Sequence, residues 1–289
     1  MHIKDKFFSL FEMAYPLLFL VPFAPYIGGL FFVTKFSELL FSFDSFIGLI
    51  AISIFFVAGF NIFNAVYDYK IDLINKPSRG IPSKKISKNE AIFFSIGCFI
   101  LSLSLAYSIN FNFFILMVIN IFLAILYSSP PIRLKEKYLI TNIIISLSFG
   151  FFPALLGWSV FGEVSNLNWP FVVSVFILYS SIGLLKDFGD YFGDRIYNVK
   201  TLPSVLGLTN ARKWVIFSMV IAYCFVLLLT FLNNFKPTTY ILIFFLLWVW
   251  HINSLLVKIE KVKEEEIVIN MVFLGFFSVL SLIILNISI

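Results

Sequence analysis

Residues 45–72 read SFIGLIAISIFFVAGFNIFNAVYDYKID. The first 23 of them carry no charged side chain, and about 20 apolar residues suffice to cross the hydrocarbon core of a bilayer as a helix. A helix is the form required, because lipid offers the backbone N–H and C=O groups no partners. Two aspartates and a lysine then arrive within five residues. The stretch therefore says two things: the chain spans a membrane, and acidic groups gather where one span leaves it.

The same reading extends in both directions. Apolar runs near 11–33, 45–67, 90–108, 112–129, 139–160, 170–187, 212–232, 237–256 and 267–287 predict nine spanning helices in the 289-residue chain. Hydrophobic residues make up 60% of the sequence and charged ones 13%, with a mean hydropathy of +0.98. Soluble domains average about 45–50% and about 25%, so the excess apolar surface belongs against lipid. The expected fold class is an all-α integral membrane bundle of nine transmembrane helices, a single domain over residues 1–289, with no soluble domain and no cleavable signal peptide. Pro16, Pro22, Pro25 and Pro153 fall inside predicted spans, where neighbouring helices satisfy the carbonyls that proline frees.

The loops give the orientation. Numbered alternately, one side receives nineteen of the 21 basic residues, and the other only Lys35 and Lys236. The positive-inside rule places the N-terminus and the long polar loops in the cytoplasm and the C-terminus outside. The net charge of +5 is scattered through these loops, so nucleic acid is not an expected partner; membrane lipid is. Cys98 and Cys224 sit inside apolar runs as packing residues, and His2 and His251 are isolated, so neither residue type offers a metal set.

Asn64, Asp68 and Asp72 are spaced i, i+4, i+8, which makes one stripe on a continuous helix. The sixth span ends in Lys186-Asp187-Phe188-Gly189-Asp190-Tyr191-Phe192-Gly193-Asp194, whose three acids again share a face. Both stripes fall on the same side by the loop count, and five of the chain's sixteen acids lie in them. Like charges one turn apart repel. A divalent cation offsets this, and carboxylates with few other ligands suit Mg²⁺, which retains waters and shares phosphate oxygens. Arg79, Lys84 and Lys85 follow the first stripe; Lys186, Arg195 and Lys200 surround the second. Acid, metal and base together describe a diphosphate site, and inside a membrane bundle the diphosphate carries a lipid tail. The 39 Phe, 12 Tyr and 5 Trp supply apolar wall and cation-stabilising ring faces, although most pack or face lipid.

Blander readings compete. Acids at one helix end are ordinarily solvated charges; two matched stripes on one side argue against that here. Glu264, Glu265 and Glu266 are consecutive, face all round a helix end, and read as a solvated cap near Lys261 and Lys263. A transporter using the acids for cation binding is the alternative function, but transporter acids usually lie near the bilayer midplane. An assembly subunit without activity is a third. The segments 52–90 and 171–213 share an order of apolar helix, acids and basic loop, a hint of two related half-bundles.

On these residues the chain resembles the UbiA family of membrane prenyltransferases. Asn64, Asp68 and Asp72 match the family's first motif, and Asp190 and Asp194 its second, with Asp187 as the additional acid of one variant. The likeness runs on through Asn75-Lys76-Pro77-Ser78-Arg79-Gly80-Ile81-Pro82-Ser83, Tyr127-Ser128-Ser129-Pro130-Pro131 and Lys200-Thr201-Leu202-Pro203. The resemblance implies a central cavity under a cytoplasmic cap of the two motif loops. It implies Mg²⁺ as cofactor, held by Asn64, Asp68 and Asp72 and by Asp190 and Asp194, with Arg79 and Lys186 on the diphosphate. Asp68, Asp72, Asp190 and Asp194 would be catalytic, with Asn64, Lys84 and Lys200 also near the diphosphate. The reaction would transfer a prenyl group from a prenyl diphosphate to a lipid-soluble or amphipathic acceptor: geranylgeranylglyceryl phosphate, a chlorin or an aromatic quinone precursor. Gly80 and Lys84 depart from the family pattern, and no clear match stands for a family tyrosine shortly before the second motif; Tyr179 lies well upstream.

Overall fold

The computed structural model describes residues 3–33, 42–258 and 264–286. His2, Lys35, Lys261, Lys263 and residue 287 lie outside them. Among the described residues there are helices and loops but no strand. In chain order the helices are α1 (Ile3–Ala14), α2 (Leu20–Phe31), α3 (Phe43–Tyr67), α4 (Tyr69–Asn75), α5 (Lys88–Ile109), α6 (Phe111–Ser128), α7 (Ile140–Ser159), α8 (Trp169–Gly189), α9 (Tyr191–Ile196), α10 (Leu202–Phe231), α11 (Pro237–Val257) and α12 (Glu264–Asn286). Eight are long and apolar enough to cross a membrane, and nine spans result if the bent pair of α1 and α2 counts as one. The protein is an all-helical integral membrane protein.

Three local differences from the sequence reading have physical causes. The first span is not one helix: it bends by 50° where Tyr15 adopts φ 53°, a left-handed conformation that no regular helix continues through. The two acidic stripes do not lie on continuous helices. Asp68 has ψ 3° and Asp190 ψ 1°, so each helix breaks at the middle residue of its motif, and α4 and α9 start afresh. The seventh span begins ten residues early, at Leu202, where Thr201 N donates to Ser204 Oγ at 2.8 Å, and Gly207 interrupts it at φ 75°.

Small residues set the tightest packing. A Cβ on Gly29 would lie 2.1 Å from the Ala154 carbonyl oxygen, and one on Gly157 would lie 2.0 Å from that of Tyr26. Helices α2 and α7 therefore meet backbone to backbone, as small-residue contacts allow in bilayers. Two spans also widen into π-helical stretches, Ile50–Phe56 in α3 and Leu147–Phe151 in α7. Their displaced carbonyls find partners across the bundle: Ser102 Oγ donates to Ala51 O at 2.9 Å, and Asn120 Nδ2 to Ser148 O at 3.2 Å. At one end of the bundle, Met13, Ile62, Ile81 and Ile86 form a small buried cluster. It pins the loop after α4 down onto α1 and α3, which fixes where Arg79 points.

Candidate active site

The break at Asp68 turns its carboxylate toward the loop between α6 and α7. Arg133 Nη2 reaches Asp68 Oδ1 at 3.0 Å, and the Lys135 ammonium bonds to Oδ2. One turn on, Asp72 accepts from Arg79 Nη1 at 2.8 Å. The same guanidinium donates to the carbonyls of Met13 and Asn61 and stands 5.4 Å above the Tyr15 ring. Asn64 lies at the mouth of the cavity below, with its Oδ1 accepting from Ser128 Oγ at 3.4 Å. Every carboxylate of this first arm is thus charge-paired.

The second arm is built differently. Asp187 pairs with its neighbour Lys186. Asp190 Oδ1 accepts from Lys76 Nζ at 3.0 Å, and the same ammonium donates to Glu264 Oε1 at 2.9 Å. Burial would raise the Asp190 pKa, but Lys76, Lys135 and Lys186 together hold it well below the usual carboxylate range. Lys76 is the mirror case: burial disfavours its charge, yet Asp190 and Glu264 keep it firmly protonated. Asp194 is fully buried, and neither carboxylate oxygen has a hydrogen-bond partner. Its burial, with Asp190 and Asp187 nearby, pushes its pKa up to about 7 against the pull of Lys135.

Asn75 joins the arms. Its Nδ2 donates to the Asp190 carbonyl at 3.0 Å and its Oδ1 accepts from Gly193 N at 2.9 Å. A Cβ on Gly193 would lie 2.6 Å from the Asn75 amide nitrogen, so a larger residue there would push the Asn75 amide away from its bonds to the second arm. The aspartate-bearing tips therefore converge in one cap. Beneath it opens a cavity with an empty volume of about 1090 Å³, its mouth included. Lys76, Arg79, Lys135, Lys186, Asp190 and Glu264 form its polar end. Its shaft is apolar, with the Phe60 ring 5.4 Å from Tyr127 and 4.9 Å from Phe149.

Several residues fall elsewhere than the sequence suggests. Lys84 and Lys200 are exposed and line no part of the cavity; Lys200 instead bridges to Lys137 through the backbone. Arg195 is exposed against Tyr191. Glu264 is not a solvated cap residue. It packs on Gly189, holds Lys76 and faces the cavity. The spacing at Glu264–Glu266 gives no hint of this, because the partner comes from a loop far away in sequence. Arg133 and Lys135 were countable only as same-side loop charges. Among the described residues no three His, Cys, Asp or Glu side chains gather into a metal cage: in a low-dielectric pocket each paired carboxylate has drawn in its own cation. The orphaned Asp194 carboxylate is what fits a metal ion, since a buried charge without partner is costly and a hard cation is the partner two free carboxylate oxygens suit.

A model of the UbiA prenyltransferase family matches residues 17–286. The chain belongs to the UbiA prenyltransferase family. Over 160 residues it is 32% identical to the digeranylgeranylglyceryl phosphate synthase of Thermococcus sibiricus, covering 55% of this chain and 56% of that protein. It is 33% identical over 163 residues to the chloroplastic chlorophyll synthase of Oryza sativa subsp. japonica, covering 53% and 42%. The matched segments span about half the length of these relatives. The fold is similar to that of a UbiA homolog from Archaeoglobus fulgidus solved with DMAPP and Mg²⁺, at a TM-score of 0.68 and 22% identity over 96% of this chain and 99% of that one.

Proposed function

We propose that this chain transfers a prenyl group from a prenyl diphosphate to a lipid acceptor, releasing diphosphate, with Mg²⁺ bound in the cap. The observation that carries the reading is Asp194: a buried carboxylate with no hydrogen-bond partner, in the cap above the cavity, with only the more distant pull of Lys135 and Lys186 from the cavity's polar end. The charge balance agrees. Seven carboxylates, Asp68, Asp72, Glu136, Asp187, Asp190, Asp194 and Glu264, meet five cations, Lys76, Arg79, Arg133, Lys135 and Lys186, so negative charge is in excess once Asp194 ionises. Metal binding turns that deficit into a net positive field suited to a diphosphate.

Asp187, Asp190 and Asp194 would hold metal on one arm, and Asn64, Asp68 and Asp72 on the other. Bound Mg²⁺ supplies a Lewis acid that draws electron density from the diphosphate oxygens. Lys76, Arg79, Lys135 and Lys186 line the cavity's polar end, where they would neutralise the charge that grows on a diphosphate as the allylic C–O bond breaks. Phe60, Tyr127 and Phe149 place ring faces below, where an allylic cation gains about 0.5–2 kcal/mol from each well-placed ring. The buried shaft keeps water from competing with the acceptor.

Among acceptors, a glyceryl-phosphate lipid is favoured. That follows from the relative in Thermococcus sibiricus being named for such a product, with a chlorin or quinone precursor next. We place the cap and the N-terminus in the cytoplasm, on the strength of the lopsided loop charges. Purified protein incubated with a prenyl diphosphate, Mg²⁺ and this panel of acceptors should yield one prenylated product by mass. Diphosphate release unchanged by excess EDTA would overturn the reading.

A further inference from the structure

The cavity has a floor, and one side chain makes it. In α8 the residues facing the cavity descend from Lys186 through Gly183 and Ile182 to Tyr179, which is the deepest. In α12 the deepest is Gly275, and the nearest atoms to a Cβ there are Cζ, Cε2 and the hydroxyl of Tyr179, at 3.7–3.8 Å. In α2 the deepest is Val21, whose carbonyl accepts a hydrogen bond from the Tyr179 hydroxyl at 2.6 Å. In α7 it is Phe149, and a Cβ on the next residue, Gly150, would lie 3.0–3.2 Å from the Tyr179 side chain. Four walls thus end on the same phenol, and the Phe60–Phe149 edge-to-face pair also lines the cavity.

The anchor is written into α2. Pro25 has no N–H, so it cannot donate the usual helical bond to the carbonyl four residues before it. That carbonyl is Val21's, and Tyr179 takes the vacant place. Buried, hydroxyl-bonded at one end and held against two glycines, the ring is a crossbar with little freedom to swing aside.

We propose that Tyr179 sets the longest prenyl chain that seats fully below the diphosphate; this rests on the transfer reading above. Eight residues of helix separate Asp187 from Tyr179 and eleven separate Glu264 from Gly275, roughly 12 and 16 Å at the rise of a helix. An isoprene unit extends about 5 Å, from its bond lengths. The shaft therefore takes about three units, and a longer chain must fold back or leave sideways.

The test is a donor ladder of dimethylallyl, geranyl, farnesyl, geranylgeranyl and geranylfarnesyl diphosphates with full-length protein, reading kcat/KM for each. Tyr179→Ala should raise the ratio of geranylfarnesyl to geranyl turnover about tenfold or more. Gly275→Leu, which puts a side chain above the floor, should lower the geranylgeranyl-to-geranyl ratio by a similar factor. The two substitutions act in opposite directions and at separate residues, so misfolding of one leaves the other to decide. Unchanged ratios in a folded, active Tyr179→Ala or Gly275→Leu protein would overturn the floor and leave the transfer reading standing. A wild-type protein inert toward every donor would overturn both.

Discussion

The two arms of the cap carry related acids and spend them differently. In the first arm Asp68 is matched by Arg133 and Lys135, and Asp72 by Arg79, so its charges are internally settled. In the second, Asp187 and Asp190 are matched by Lys186 and Lys76, and Asp194 by nothing. Breaks at Asp68 and Asp190 give the arms the same local shape. The lesson is that a shared shape does not imply a shared electrostatic role: the first arm resembles a braced wall, and the second retains an open valence.

Substitution at the aspartates breaks this comparison most sharply. Asp68→Asn and Asp194→Asn should each lower turnover by on the order of 10²-fold or more, since each removes a charged ligand of the proposed metal site. Their effects on stability should diverge. Asp68→Asn leaves the buried Lys135 without its counter-charge and the half-buried Arg133 with Glu136 alone, which costs about 3 kcal/mol. Asp194→Asn removes an uncompensated buried charge and should leave the metal-free protein as stable or more so. Thermal denaturation in detergent, with EDTA, checks both; equal destabilisation would erase the distinction between the arms.

Proton linkage sharpens the comparison next. The Asp194 pKa is raised to about 7 in the folded protein. Below that pH the carboxyl holds a proton that Mg²⁺ must displace, so affinity should fall by up to about tenfold per pH unit as pH drops from 7 to 5. The sign for stability runs the other way. A carboxyl raised on folding favours the folded state at low pH, and that advantage is lost as pH rises from about 4 to about 7. Mg²⁺ titrations by calorimetry in wild type and Asp194→Asn at both pH values separate this group from the rest.

Smaller effects test the joint between the arms. Asn75→Ala and Gly193→Ala should each reduce turnover several-fold. The double mutant should lose less than the product of the two, with a coupling of about 0.5–3 kcal/mol, because the added methyl then meets no amide. Glu264→Gln should raise the donor KM a few-fold, as Lys76 loses one of its two counter-ions. Lys84→Ala, at an exposed position, should change turnover by less than about twofold.

What was legible in the sequence was what repeats at short range. The apolar runs predict the spans because each needs about 20 residues of one character, and the motif aspartates stand out by their spacing and their place at span ends. The breaks at Asp68 and Asp190 were hidden, because i, i+4 spacing says which residues share a face only if the helix continues. Glu264 was misread for a different cause: its partner Lys76 lies 188 positions away, and a run of three glutamates looks the same whether one of them turns inward or not. Tyr179 combines both difficulties. Its anchor exists because Pro25 lacks an N–H, a local fact, but the hydroxyl that answers it comes from 158 residues away.

The central claim is that the converged arms form one metal-dependent diphosphate site. The most direct test is diphosphate release from geranylgeranyl diphosphate by purified protein across a Mg²⁺ titration, in wild type and Asp194→Asn. The account predicts saturable Mg²⁺-dependent release in the wild type, abolished by EDTA and restored by added Mg²⁺, and release in Asp194→Asn at or below about one hundredth of that rate. Equal release by the two proteins, or full release in EDTA, would contradict it.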